Sequence, residues 1–298
     1  MRIGTAVIHC GEEPPLVGFG GSGTIFVSGC NMGCAFCQNY QVSQSDWNSG
    51  GTSLGKAVTP LTFAAICDAL RAKGAENINI VTGSHAIPGI IEGFDIARKA
   101  DALRAEKPLP VLWNSSAYES TDALELLRGY ADIYLPDLKT LDSGIAQKFF
   151  NAPDYPQTAQ AAILKMIDMI SGRVNANGFS SYEDFEAYER VIIRHLILPG
   201  YLESTRTVLR WFAENVKGRA MLSLMTQYTP IPNRNGPMPK RYLTQEEYDT
   251  VLYWLEEFDI EDGFCQELVT GSDWLPDFNR HNPFPSKLSV PAWSCIDA

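Results

Sequence analysis

A chain of 298 residues with 45% apolar and 20% charged residues is long enough to bury a sizeable core and has the composition of an ordinary soluble globular protein. Its net charge of −11, with no basic run, argues against nucleic acid as a partner. The start, Met1-Arg2-Ile3-Gly4, carries no apolar leader, and no apolar run approaches the ~20 residues of a membrane span, so the expected setting is cytoplasmic with no membrane partner.

After a Gly- and Pro-rich lead-in, residues 1–22, the first expected strand is Thr24-Ile25-Phe26-Val27. The stretch from Gly18 to Gly23 formally matches GxGxxG, but it precedes a strand instead of following one, so it reads as a flexible lead-in and not as a dinucleotide site. A helix is expected from Pro60 with Thr59 as its cap, since Phe63, Ile66, Cys67 and Leu70 share one face. Next come the strand Ile78–Val81, a helix around Ile87–Leu103, the strand Val111–Trp113, a helix around Ser120–Tyr130 and the strand Ile133–Leu135. Helical pattern returns near Thr158–Ile170, followed by a polar stretch through Gly178 and an acidic one near Glu183–Glu189. The strand Val191–Leu198, the helix Ser204–Val216 and the strand Met221–Met225 follow. The last helix opens on the capping box Thr244-Gln245-Glu246-Glu247 and presents Tyr248, Val251, Leu252 and Leu255.

Six strands alternating with helices predict an α/β fold with a parallel sheet, either doubly wound or a barrel. No shift in composition marks a boundary. The expectation is one domain, residues 1–298, with a core over about 23–265 and an irregular, Pro- and aromatic-rich tail over 266–298.

Seven cysteines, three of them within eight positions, point to a reducing compartment and to thiols used for metal. Cys30, Cys34 and Cys37 stand in CxxxCxxC spacing just after the first expected strand. Iron–sulfur cubanes normally take four cysteines, so three ligands leave one iron open to an outside molecule, as an enzyme requires. Zinc motifs repeat CxxC or add histidines, whereas CxxxCxxC stands alone here. The other four cysteines are far apart, and Cys67 reads as a core residue on the apolar face of its helix.

CxxxCxxC with the aromatic Phe36 before the last cysteine resembles the radical S-adenosylmethionine (SAM) signature. The longer string Gly23-Thr24-Ile25-Phe26-Val27-Ser28-Gly29-Cys30, with Cys37-Gln38-Asn39, resembles the branch similar to pyruvate formate-lyase activating enzyme. The resemblance covers roughly residues 18–140 and again about 190–230. It implies a partial (β/α)6 TIM-like barrel, open at one side, with a [4Fe–4S] cluster on Cys30, Cys34 and Cys37. SAM would bind the open iron and be cleaved reductively to a 5′-deoxyadenosyl radical for hydrogen abstraction. Activation of a glycyl radical enzyme is the most specific activity implied, with a protein or peptide substrate and an electron donor such as flavodoxin or ferredoxin. A radical SAM enzyme acting on a small molecule, and a non-catalytic iron–sulfur or metal-binding protein, stay open as alternatives.

Ligand groups of a parallel barrel sit at the carboxyl ends of its strands. By the resemblance, the segment after the second strand, Thr82-Gly83-Ser84-His85, meets the SAM amino group, although it replaces the commoner Gly-Gly-Glu-like segment. Asn114, Ser115 and Ser116 suit the methionine part. Asp137 and Lys139 share a face after the fourth strand and resemble the Asp-x-Lys of the activating enzymes. His195, within Arg194-His195-Leu196-Ile197-Leu198-Pro199, is a further SAM-site candidate, and Gln227 and Tyr228 are weaker ones. The interruption at Asn151–Arg190 and the tail with Trp274, Phe278, Phe284 and Trp293 are expected to flank the barrel opening.

Overall fold

The computed structural model describes residues 1–44, 54–171, 187–231, 236–272 and 275–297. The strands along the chain are β1 (Arg2–His9), β2 (Ser22–Val27), β3 (Lys56–Ala57), β4 (Ile78–Val81), β5 (Val111–Ser115), β6 (Ile133–Pro136), β7 (Ile192–Leu196), β8 (Met221–Met225), β9 (Gly263–Cys265) and β10 (Ser289–Ser294). The helices are α1 (Pro14–Val17), α2 (Tyr40–Ser43), α3 (Pro60–Ala72), α4 (Ile87–Arg104), α5 (Thr121–Glu125), α6 (Ser143–Phe150), α7 (Tyr155–Ser171), α8 (Leu202–Asn215) and α9 (Gln245–Glu257).

All six expected strands form and run parallel. β2, β4, β5 and β6 pair in that order, as do β7, β8 and β9. Parallel bridges Tyr134–Val191 and Asp137–Arg194 link the two groups. Parallel neighbours need a crossover, and helices α3 to α9 supply one for each step. Their starts are set locally. Thr59, Ser120, Asp142 and Thr244 each accept a backbone N–H of the first turn, and Glu247 closes the capping box on Thr244. The result is an α/β fold with a mostly parallel central sheet. β9 ends it on one side and the antiparallel pair β1 and β10 on the other, and among the described residues no pairing closes it into a barrel.

Alternation along the strands sorts the core. One set of strand side chains meets the helices in the main core, which takes in Phe63, Phe94, Trp113, Tyr134 and Phe212. The other set faces the concave side, where Leu112, Ile133, Leu135 and Ile192 enclose Leu16 of α1. The turn of helix after β1 therefore plugs the end of the sheet at which the parallel strands begin.

Three elements differ from expectation. Residues 1–22 are not a loose lead-in: β1 occupies Arg2–His9, and all but Arg2 of it is buried. Burial on both faces removes the period-2 pattern by which a strand is recognised. The Gly-rich stretch is tied down as well, with the Gly20 N–H donating to the Glu76 carboxylate at 2.9 Å. The tail contains β10, which pairs with β1 across a register shift between Ala6 and Val7. Pro291 disguises β10, yet proline is compatible with an edge strand. Helix α6, just before the interruption, has no counterpart among the expected elements, whereas α7 falls on the helical pattern expected near 158–170 and buries Tyr155, Ala159, Ala162, Ile163, Met166 and Ile170 against the core. Trp274 and the polar stretch 172–186 lie outside the described residues.

Candidate cluster and cofactor site

The carboxyl ends of the parallel strands meet around a cavity of about 980 Å³. Cys30, Cys34, Phe36 and Cys37 line it beside Asn114, Ser115, Ser116, Asp137, Lys139 and Gln227. The cysteine loop leaves β2 through Gly29, whose φ of +95° favours glycine. A Cβ there would come within 3.1 Å of His85 Nε2. The loop is then fastened to the end of α6, where Ala35 N–H donates to the Phe149 carbonyl at 2.8 Å. Phe36 closes the fastening from within, its ring 5.6–5.9 Å from those of Phe149, Phe150 and Tyr228.

Burial pushes the Cys30 thiol up to about 11 and Cys34 higher still, and in both the nearby thiols add to the shift. The chain alone therefore holds neutral thiols, and a cationic metal body is what would draw them to thiolates. The three thiols interact electrostatically with one another. Among the described residues, however, no three His, Cys, Asp or Glu side chains gather around a single metal-ion position. An all-thiol set of that kind suits a cluster of several irons better than one zinc ion.

Asp137 and Lys139 form an ion pair at 2.6 Å on the cavity wall. Burial disfavours the Lys139 ammonium, but Asp137 holds it charged well above the ordinary lysine range. The segment is fixed from behind by Tyr155 of α7. Its hydroxyl accepts the Lys139 N–H at 2.9 Å and lies 2.5 Å from the Asp137 carbonyl and 3.0 Å from that of Ser116, to which it donates. The loops after β4 and β5 share a second anchor, Glu119. Its carboxylate accepts from Ser84 Oγ, Trp113 Nε1 and Ser115 Oγ, each at 2.7 Å, and burial raises its proton affinity despite these donors.

Five of the expected site residues do not reach the cavity wall, Tyr228 among them, whose hydroxyl donates to the Pro239 carbonyl at 2.7 Å. Gly83 packs under the sheet, where a Cβ would lie 2.7 Å from Ile80 and Trp113. Ser84 is turned to Glu119, and His85 bonds the Ser28 carbonyl at 2.9 Å. Their neighbour Thr82, with a left-handed φ of +61°, lines the cavity instead. His195 is 1% exposed and points into the helix layer, with Nδ1–H donating to Leu138 O at 2.7 Å and Nε2 accepting from Thr205 Oγ1 at 3.0 Å. Burial lowers its pKa to about 4. Strand alternation explains this position: Arg194, one residue earlier, faces the cavity, so His195 must face away.

Arg194 belongs to a group that the sequence reading passed over. Its guanidinium holds Glu12 and Glu13, each at 2.5 Å, on the loop after β1. Burial works against the Glu13 carboxylate, but Arg194 keeps its pKa below the usual range. A lone charged residue inside the apolar run Val191–Leu198 was the available signal. Nothing in the pattern around Glu12-Glu13-Pro14-Pro15 gave away its partners.

Of the two segments expected at the opening, the tail reaches the cavity through residues 266–269 and Phe284, while no described residue of 151–190 lines it. No helix of the described residues is long and apolar enough to cross a membrane.

A protein of Methanocaldococcus jannaschii described as uncharacterized, MJ0674, is 29% identical over 259 residues, which cover 86% of this chain and 68% of that protein. Two structures of Streptococcus suis SuiB, one bound to the precursor peptide SuiA and one to SAM, share the fold with TM-scores of 0.50 and 0.51 at 13% identity. Each alignment covers 81% of this chain, which spans about half of SuiB (48% and 50%). The radical SAM superfamily model matches residues 24–205, from β2 through the start of α8 and so across the cysteine loop and the part of the cavity wall from Phe26 to Leu198. The chain thus belongs to the radical SAM superfamily, whose enzymes work with a [4Fe–4S] cluster, S-adenosylmethionine and a reductant.

Proposed function

We propose that this chain is a single-domain radical SAM enzyme built on a partial (β/α)6 barrel, in which Cys30, Cys34 and Cys37 hold the cluster and Asp137 and Lys139 receive SAM. The observation that carries this reading is the shared cavity. The three thiols and the Asp137–Lys139 pair open into one space of about 980 Å³, and Lys139 acts electrostatically on both Cys30 and Cys34. When bound, a cluster held by Cys30, Cys34 and Cys37 would supply the electron for reductive cleavage of SAM, and the chemistry it would open is radical abstraction of hydrogen from the substrate. The residues around it bind and orient. The Lys139 ammonium is a donor for the SAM carboxylate, and Asp137 keeps it charged and aimed. Asn114, Ser115 and Ser116 present short polar groups to the methionine part, while Phe36 and Tyr228 keep water from the loop behind the thiols. Gly83, Ser84, His85 and His195 act through the backbone they hold in place.

The likeness to the activating enzymes favours a protein or peptide substrate, and the unclosed sheet supplies a lateral entry between β9 and the β1–β10 edge. An electron donor such as flavodoxin or ferredoxin fits the need for a low-potential reductant. Replacing Asp137 or Lys139 by alanine removes a charge-assisted contact worth ~1.5–3 kcal/mol. SAM affinity should fall at least tenfold while the cluster's absorbance stays intact. Unchanged affinity in both variants would remove the pair from the SAM site. Incubating the reduced enzyme and SAM with candidate glycyl radical proteins tests the activase arm, which requires a glycyl signal in the electron paramagnetic resonance spectrum.

A further inference from the structure

The cavity has a second end that the proposed cluster and SAM do not use. β1 is antiparallel to β2, and its last residue, His9, pairs with Ser22, the first of β2. The cysteines instead follow the last residue of β2. The loop Cys10–Glu13 thus lies at the opposite end of the cavity, about 17 Å along the strands at ~3.3 Å per residue.

The groups at this end are of one chemical kind. Glu12 and Glu13 share a single cation, Arg194, and all three line the cavity with side chains no more than 10% exposed. One buried carboxylate charge is left over. Asn79, fully buried on β4, donates Nδ2–H to Glu12 Oε1 at 2.9 Å and leaves its own Oδ1 with no donor. His9 lines the same end at 8% exposure, and its Nδ1 has no partner. Burial, ahead of the pull of Glu12 and of the Leu288 backbone, lowers its pKa and favours the neutral ring, which keeps one nitrogen lone pair. The cavity wall here therefore offers a carboxylate and a neutral imidazole, with the unpartnered amide oxygen of Asn79 buried beside the carboxylate. Two aromatic rings stand beside it: Phe284 lies 4.8 Å from His9 and 5.6 Å from Phe26. Acceptors, surplus negative charge and aromatic faces complement a cation with several N–H donors and repel a carboxylate. The cavity as a whole has the same sign, with Glu12, Glu13, Asp137 and Glu267 on its wall against Arg194 and Lys139.

We propose that the end of the cavity formed by His9, Glu12 and Phe284 is a subsite for a cationic group of the substrate, an alkylammonium such as a lysine side chain carries. The proposal rests on the radical SAM reading of the same cavity and adds the chemical class of what enters it. A substrate held there by its ammonium presents its remaining carbons toward the thiol end.

The test uses the anaerobically reconstituted protein with n-butylammonium, n-butanol and butyrate as probes, their affinities read by ligand-observed NMR at pH 7. The subsite predicts that butylammonium binds at least tenfold more tightly than butanol, that butyrate does not bind, and that Glu12→Gln removes the preference for the ammonium. Equal affinity of ammonium and alcohol for the unaltered protein overturns the proposal, and that comparison needs no variant to fold. An ammonium preference that survives in folded Glu12→Gln also overturns it. Iron content and 5′-deoxyadenosine are measured on the same preparation. A protein that binds the ammonium selectively but holds no cluster contradicts the radical reading and leaves the subsite standing. Cluster and SAM cleavage without ammonium selectivity do the reverse.

Discussion

Tyr155→Phe removes one oxygen from the protein and disconnects three backbone groups of the proposed SAM wall. The hydroxyl accepts the Lys139 N–H at 2.9 Å and sits against the carbonyls of Asp137 and Ser116, and the tyrosine itself is fully buried. The ring of phenylalanine fills the same space, so no cavity opens and the whole effect is one of hydrogen bonding. Leaving a buried donor unsatisfied costs ~1–3 kcal/mol, and the shared carbonyl contact adds ~1 kcal/mol. The expected loss of stability is therefore ~2–4 kcal/mol, or roughly 3–6 °C in Tm for a chain of this size. Because the segment carries Asp137 and Lys139, SAM affinity should fall with it, by ~10-fold, while iron content is unchanged. Thermal unfolding followed by circular dichroism gives the first quantity and titration with SAM the second. A variant with unaltered Tm and unaltered SAM affinity would refute the role given to this hydroxyl, because among the described residues no other side chain is bonded to that N–H.

Two further expectations concern buried charge. His195 has a pKa near 4 in the folded chain against 6.5 when exposed, so the unfolded state binds its proton first as pH falls. Its contribution is complete above pH 6.5 and lost on going down through pH 4, by at most roughly 3 kcal/mol at 1.36 kcal/mol per unit. Urea unfolding of His195→Gln between pH 7.5 and 4 should lack that part of the acid slope, and parallel slopes would contradict the assignment. Arg194→Met leaves Glu12 and Glu13 buried without a cation, for a loss of ~3–5 kcal/mol, most of which should return on adding Glu13→Gln. A loss below ~1 kcal/mol would mean that the loop simply swings out to water.

The parts of this molecule that were legible in sequence are those fixed by local chemistry. CxxxCxxC, the Thr59 and Thr244 caps and the six parallel strands all depend on residues close in the chain, and all are where spacing and periodicity put them. Asp137 and Lys139 follow the fourth expected strand two positions apart, so they share a face, and both line the cavity. What escaped depends on distant partners. β1 lies between two strands from opposite ends of the chain, so burial erased its alternation. Glu119 and Tyr155 look like any glutamate and tyrosine until the loops they bridge are brought together. His195 faces the helix layer and Arg194 the cavity, because a strand's inward face is set by its neighbours and not by which residue has the more reactive side chain.

The central claim is that three cysteines hold a cluster that acts on SAM, and one measurement addresses it directly. Iron and sulfide are determined in the anaerobically reconstituted protein and in Cys30→Ala, Cys34→Ala, Cys37→Ala and Cys67→Ala, and each is then reduced with dithionite and assayed with SAM for 5′-deoxyadenosine. The account predicts about four irons per chain in the unaltered protein and in Cys67→Ala, as one cubane requires, with 5′-deoxyadenosine formed by both. The other three variants should lose cluster and product together. Full iron in any of those three, or a complete cluster that leaves SAM uncleaved, would contradict it.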